Sequence, residues 1–154
     1  MPASFLGNSP KLKSFYAYYQ DLNTIPVQFL NNHTDLINLV LPGFPLSITD
    51  LSAFAAAPQL ESLNVNWACT TKKACKNSIS TLGTFPHLPN LTSLNLNYIP
   101  ISEIPTSFPP KVPAHTTLNL QFSPIEMTGY SSPALLEVCN HFTKFTPDAL
   151  CDNP

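Results

Sequence analysis

Four cysteines, four histidines and two Asn-x-Thr triplets are the groups in this 154-residue chain whose types and spacing could do chemistry. A pair of thiols can close a disulfide, ligate a metal or, once activated, attack a substrate. Metal binding would need ligand spacing, and Cys69 and Cys75 lack it even when His33, His87, His115 and His141 are added. Catalysis needs an activated group with a partner in hydrogen-bond reach, yet the nine acidic residues are isolated along the chain and four glycines make no phosphate loop. Cys139-Asn140-His141 reads as half of a disulfide beside a solvated imidazole. The chain is therefore expected to be no enzyme and to need no cofactor. Four cysteines allow three pairings. The local ones, Cys69 with Cys75 and Cys139 with Cys151, require no long-range geometry and are the expected pair. Asn32-His33-Thr34 and Asn90-Leu91-Thr92 are glycan acceptors, and with the even cysteine count they point to an extracellular or cell-surface setting. Reduced thiols in the cytoplasm are the alternative.

The elements that must position these groups are repeated. In Leu91 to Pro105 the apolar residues Leu91, Leu94, Leu96, Ile99, Ile101 and Ile104 fit neither a helical stripe nor plain alternation, but a strand followed by a tight turn. The pattern returns at Leu12, Phe15, Ala17, Leu22 and Ile25, at Leu36, Leu39, Leu41, Phe44 and Leu46, at Leu60, Leu63 and Val65, and at His115, Leu118, Leu120 and Ile125. The starts at 12, 36, 60, 91 and 115 are 24, 24, 31 and 24 residues apart, so one period holds once seven residues are inserted into the third copy. A fixed period of this size marks a solenoid.

These residues resemble the leucine-rich repeat in its 24-residue extracellular form, L-x-x-L-x-L-x-x-N-x-L followed by I-P-x-x-F. The second half is visible as Ile25-Pro26 with Phe29 and as Ile104-Pro105 with Phe108. Met1-Pro2-Ala3-Ser4-Phe5-Leu6 superposes on Ile25 to Leu30, so the chain opens in mid-repeat, as a C-terminal piece of a larger repeat protein or receptor ectodomain would. One position departs from the family. Where it carries an Asn that bonds turn backbone, this chain has Gln20, Phe44, Ala68, Ile99 and Ser123, of which Phe44, Ala68 and Ile99 cannot do so. The resemblance implies a right-handed α/β solenoid with a short parallel sheet of about five strands on its concave side, and irregular, 3-10 or short helical segments on its convex side. Residues 1–128 would form the repeats, the first truncated and the third interrupted at about 69–77, and residues 129–154 a C-terminal helical cap.

The return segments differ in kind. Ser47 to Ala57 reads as a helix, capped by Thr49 or Asp50, with Leu51, Phe54 and Ala55 at helical spacing. Thr106 to Pro113, with Pro109, Pro110 and Pro113, reads as extended polyproline-like chain. Ser132-Pro133 opens a helix with an acidic first turn that runs to about Phe142 and places Leu135, Leu136, Cys139 and Phe142 near one face. His115 occupies the first core-facing position of its repeat, while His33 and His87 fall on returns.

Composition excludes several functions. Charged residues are 10% of the chain, Arg is absent and the formal net charge is -2, so a nucleic-acid footprint is missing. There is no 18-residue apolar run to span a membrane. What the repeat does produce is a surface, because stacking brings equivalent residues side by side at about 4.8 Å per strand. One column holds Tyr18, Pro42, Asn66, Asn97 and Gln121, the next Tyr19, Gly43, Trp67, Tyr98 and Phe122. Asn64, Asn95 and Asn119 form a neutral amide column with Tyr16 and Val40, and the nearby charges are Lys13 and Glu61. Aromatics among amides make adaptable contact surfaces. The resemblance implies recognition of a protein ligand on this face, through Tyr16, Tyr18, Tyr19, Trp67, Tyr98, Phe122, Asn66 and Asn97. The alternatives are a carbohydrate whose rings stack on Trp67 and Tyr98, and a structural scaffold whose aromatics only pack on one another.

Overall fold

The computed structural model describes residues 9–17, 30–41, 51–66, 81–121, 133–146 and 151. Six three-residue strands form a single parallel sheet: β1 (Ser14–Tyr16), β2 (Asn38–Val40), β3 (Ser62–Asn64), β4 (Ser93–Asn95), β5 (Thr117–Asn119) and β6 (Lys144–Thr146). They lie in chain order, with β1 and β6 at the edges and each inner strand bonded to the one before and the one after. The pairing runs Ser14 to Asn38, Ser62, Ser93, Thr117 and Lys144, which are 24, 24, 31, 24 and 27 residues apart. Among the described residues this single sheet with few helices is consistent with a solenoid-like arrangement.

The register follows from burial. The middle residue of each strand points inward and its neighbours outward, and the inward row is Phe15, Leu39, Leu63, Leu94, Leu118 and Phe145. Leu39, Leu63, Leu94 and Leu118 are fully buried, as are Leu36, Leu60 and Leu91 at the turn before each strand and Leu41, Leu96 and Leu120 after it. A slip of one residue would turn this apolar row to water. On the far side of the core, Phe54, Phe85 and Phe108 are buried, with Phe85 and Phe108 edge to face at 5.4 Å and Phe108 against Phe142 at 6.1 Å.

Several expectations from sequence are corrected here. The sheet has six strands, not about five; the sixth lies inside residues 129–154, where a cap alone was expected. Its three residues, Lys-Phe-Thr, carry a single apolar side chain, and Phe145 alone is enough to continue the inward row. The return at Leu51–Ala56 is a 3-10 helix, and its buried residues are Leu51, Phe54 and then Ala57 rather than Ala55. Spacing by three is what a three-residue turn stacks on one face. Thr49 and Asp50 lie outside the described residues. Pro109–Lys111 is likewise one 3-10 turn, not extended chain: Pro109 and Pro110 occupy the first positions, where no backbone donor is required.

The helix α1 (Pro133–His141) starts at the expected proline, but Glu137 falls beyond its first turn. Its inward stripe is Leu135, Val138 and Phe142, whereas Leu136 is 46% exposed, because residues one apart on a helix diverge by about 100°. Cys139 and Cys151 are joined by a disulfide that ties the residues after β6 back to α1. Cys69 and Cys75 lie outside the described residues. His115 does not enter the core. It is exposed, and the next residue, Thr116, is fully buried in its place. Thr116 N–H bonds Pro113 O just as Leu91 N–H bonds Leu88 O, so this segment reaches its strand one residue sooner than its neighbour does. The Thr116 hydroxyl donates to Leu91 O at 2.6 Å, which satisfies both buried groups.

Candidate functional site

The outward face of the sheet is polar and, over its centre, without charge. On β3, β4 and β5 the first outward row is Ser62, Ser93 and Thr117, the second Asn64, Asn95 and Asn119, and the residues two further on are Asn66, Asn97 and Gln121. Strands stand about 4.8 Å apart and alternate residues about 6.8 Å, so hydroxyls and amides repeat on a small lattice. Charges flank it: Lys13 and Glu61 at the turns before the strands and, not foreseen from sequence, Lys144 on β6.

The asparagines have a second task. Oδ1 of Asn64, Asn95 and Asn119 accepts the backbone N–H of Asn66, Asn97 and Gln121 respectively, each at 3.1 Å. These are Asx turns, in which a short amide side chain replaces a missing backbone partner. Asn97 Oδ1 also accepts Gln121 N–H, at 3.1 Å, which links the turns after β4 and β5. Asn97 is thus partly occupied in holding the fold, and Asn66 keeps a buried Oδ1 without a partner among the described residues. The recurring signal Asn-x-(Asn or Gln) at the ends of β3, β4 and β5 was visible in sequence, and in the structure it forms Asx turns.

Of the expected aromatic contacts, Tyr16 is 53% exposed on β1 and Tyr98 is 41% exposed after β4. Three strand spacings separate β1 from β4, about 14 Å, so the two tyrosines do not share one point of contact. Tyr18, Tyr19, Trp67 and Phe122 lie outside the described residues. Tyr98 has a property that sequence did not reveal, a φ of 60 in the left-handed region. It is the third residue of the turn closed by Ile99 N–H to Leu96 O at 3.3 Å, and its own N–H bonds Gln121 O at 2.9 Å. Glycine or asparagine ordinarily takes such a position.

The imidazoles do not converge. His33 is buried, with its Nδ1–H donating to Ser9 O at 3.1 Å and Nε2 without a partner among the described residues. His141 Nε2–H donates to Val112 O at 2.9 Å, while His87 and His115 are exposed. Among the described residues no three His, Cys, Asp or Glu side chains gather as metal ligands, and no helix is long and apolar enough to cross a membrane. The asparagines of the two Asn-x-Thr triplets, Asn32 and Asn90, are both exposed.

Comparison of the chain with family models, with curated proteins and with solved structures finds no match in any of the three.

Proposed function

We propose that this chain is a non-enzymatic recognition module of leucine-rich repeat type: a right-handed solenoid, without cofactor, that binds a protein ligand on a concave face formed by its sheet, outside the cell or on its surface. The observation that carries the reading is Tyr98. A large aromatic side chain, 41% exposed, stands on a residue in the left-handed region, a conformation that costs a non-glycine residue backbone energy. Tyr16 at the edge strand and the neutral amides between them supply the adaptable polar surroundings of such an anchor. Tyr18, Tyr19, Trp67 and Phe122 extend the same surface in this reading, and the Cys139–Cys151 bridge supports an oxidising compartment.

A second reading, an uncharged carbohydrate, is favoured by one specific observation, the lattice of hydroxyls and amides on β3 to β5. The test is equilibrium binding of the chain to an arrayed panel of secreted protein ectodomains and to a panel of neutral oligosaccharides. Under the first reading a protein binds, and Trp67→Ala and Tyr98→Ala each weaken it by about thirtyfold, the roughly 2 kcal/mol of a truncated hot spot. Lys72→Ala with Lys73→Ala changes affinity little and mainly at low salt. Binding confined to oligosaccharides selects the second reading. Silence in both panels, or lysines dominant over aromatics, rejects the tyrosine face as a site.

A further inference from the structure

The two Asn-x-Thr triplets look alike in sequence and are built differently in the fold. In the second, the acceptor amide is in use: Asn90 Nδ2 donates to Gln59 Oε1 at 3.1 Å and to Pro58 O at 3.4 Å. The hydroxyl is in use as well, since Thr92 Oγ1 donates to Glu61 O at 2.9 Å. Leu91 between them is fully buried. All three bonds fasten the segment before β4 to the segment before β3.

In the first triplet the middle residue, His33, is likewise buried, but among the described residues neither the Asn32 amide nor the Thr34 hydroxyl bonds a neighbouring segment. Asn32 and Thr34 are both exposed. Asn32 has a φ of 73, a left-handed conformation that asparagine accepts more readily than most residues. It is the third residue of a turn closed by His33 N–H to Leu30 O at 3.0 Å, and the turn is anchored by the buried ring of His33 rather than by the acceptor.

We propose that Asn32, and not Asn90, carries an N-linked glycan in the folded protein. This rests on the extracellular reading above. The step is a group transfer without redox change. The Asn32 amide nitrogen attacks the anomeric carbon of a lipid-linked oligosaccharide pyrophosphate, the nitrogen to carbon bond forms, the carbon to oxygen bond breaks, lipid pyrophosphate leaves and the amide gives up one proton. At Asn90 the same transfer would remove one of the two protons that hold Gln59 and Pro58 and would set a sugar between adjacent segments. A chain modified there folds against lost contacts; a chain modified at Asn32 loses no side-chain bond among the described residues.

The test is site occupancy in the full chain secreted by eukaryotic cells behind a cleavable leader, which brings it to the transferase wherever it natively resides. Glycosidase release in heavy-oxygen water converts each glycosylated asparagine to a labelled aspartate that peptide mass spectrometry locates. The expected result is label at Asn32 and none at Asn90, with Thr34→Ala abolishing the glycan while leaving the turn intact, and Thr92→Ala leaving it unchanged. Label at Asn90, or no glycan at either position, overturns the proposal. No ligand enters the measurement, so its outcome is separable from that of the binding panels.

Discussion

Replacing Thr116 by valine keeps the shape of a fully buried side chain and removes one hydroxyl. The Leu91 carbonyl then loses the 2.6 Å bond that it accepts, and leaving a buried acceptor unpaired costs about 1–3 kcal/mol. Urea unfolding of Thr116→Val should show a lower midpoint at unchanged slope; an unshifted midpoint would mean that the carbonyl finds another donor. Tyr98 gives the opposite expectation. Glycine adopts its φ of 60 without strain, so Tyr98→Gly is expected to keep or raise stability, by up to about 1 kcal/mol, while ligand affinity falls. Stability that drops along with affinity would make the tyrosine a packing residue. Some of this could be read in sequence and some could not. The buried leucines were legible because burial selects residue type. His115 was misplaced because counting by 24 cannot detect a segment that reaches its strand one residue early, and the φ of Tyr98 leaves no trace in composition.

Among the elements, α1 and β6 depend on the bridge between them. Cys139 and Cys151 are 12 residues apart, and closing a loop of that length contributes about 3 kcal/mol on the chain-entropy model. Cys139→Ser is expected to lower stability by that order and to speed amide exchange in β6 more than in β3. Uniform acceleration across the sheet would place the bridge's effect on global unfolding instead. The sequence showed the helix through its proline start and the bridge through local pairing. It concealed β6, since one phenylalanine between a lysine and a threonine is no periodic signal; only its register against Leu118 identifies it. The 3-10 turns were hidden for a related reason, because spacing by three and spacing by three and four share their first two positions.

For the whole molecule, sequence gave access to the parallel sheet and its period, and much less to the face that it builds. Apolar residues record the inward side plainly. Outward residues answer to two demands at once, and Asn64, Asn95 and Asn119 meet the needs of the backbone before those of any ligand. Asn95→Ala separates the demands: it should destabilise by roughly 1 kcal/mol through the orphaned Asn97 N–H and move Tyr98, so affinity falls even for a ligand that never touches Asn95. Full affinity in a destabilised Asn95→Ala would show that the turn does not set the tyrosine's position.

The strict serial order of the strands has a mechanical meaning. Within the sheet each inner strand pairs with the strands before and after it in the chain, so tension applied between the two ends of the sheet loads an outermost strand first and leaves the inner ones shielded until it detaches. Pulled in this way, the molecule should lengthen in unequal steps. Each 24-residue segment would release about 80 Å of contour and the 31-residue segment between β3 and β4 about 100 Å, at roughly 3.3–3.6 Å per residue. The stretch from Cys139 to Cys151 would contribute no length until it is reduced. In a single-molecule trace one abrupt rupture, with no intermediate plateau, would show that the six strands act as a single mechanical body.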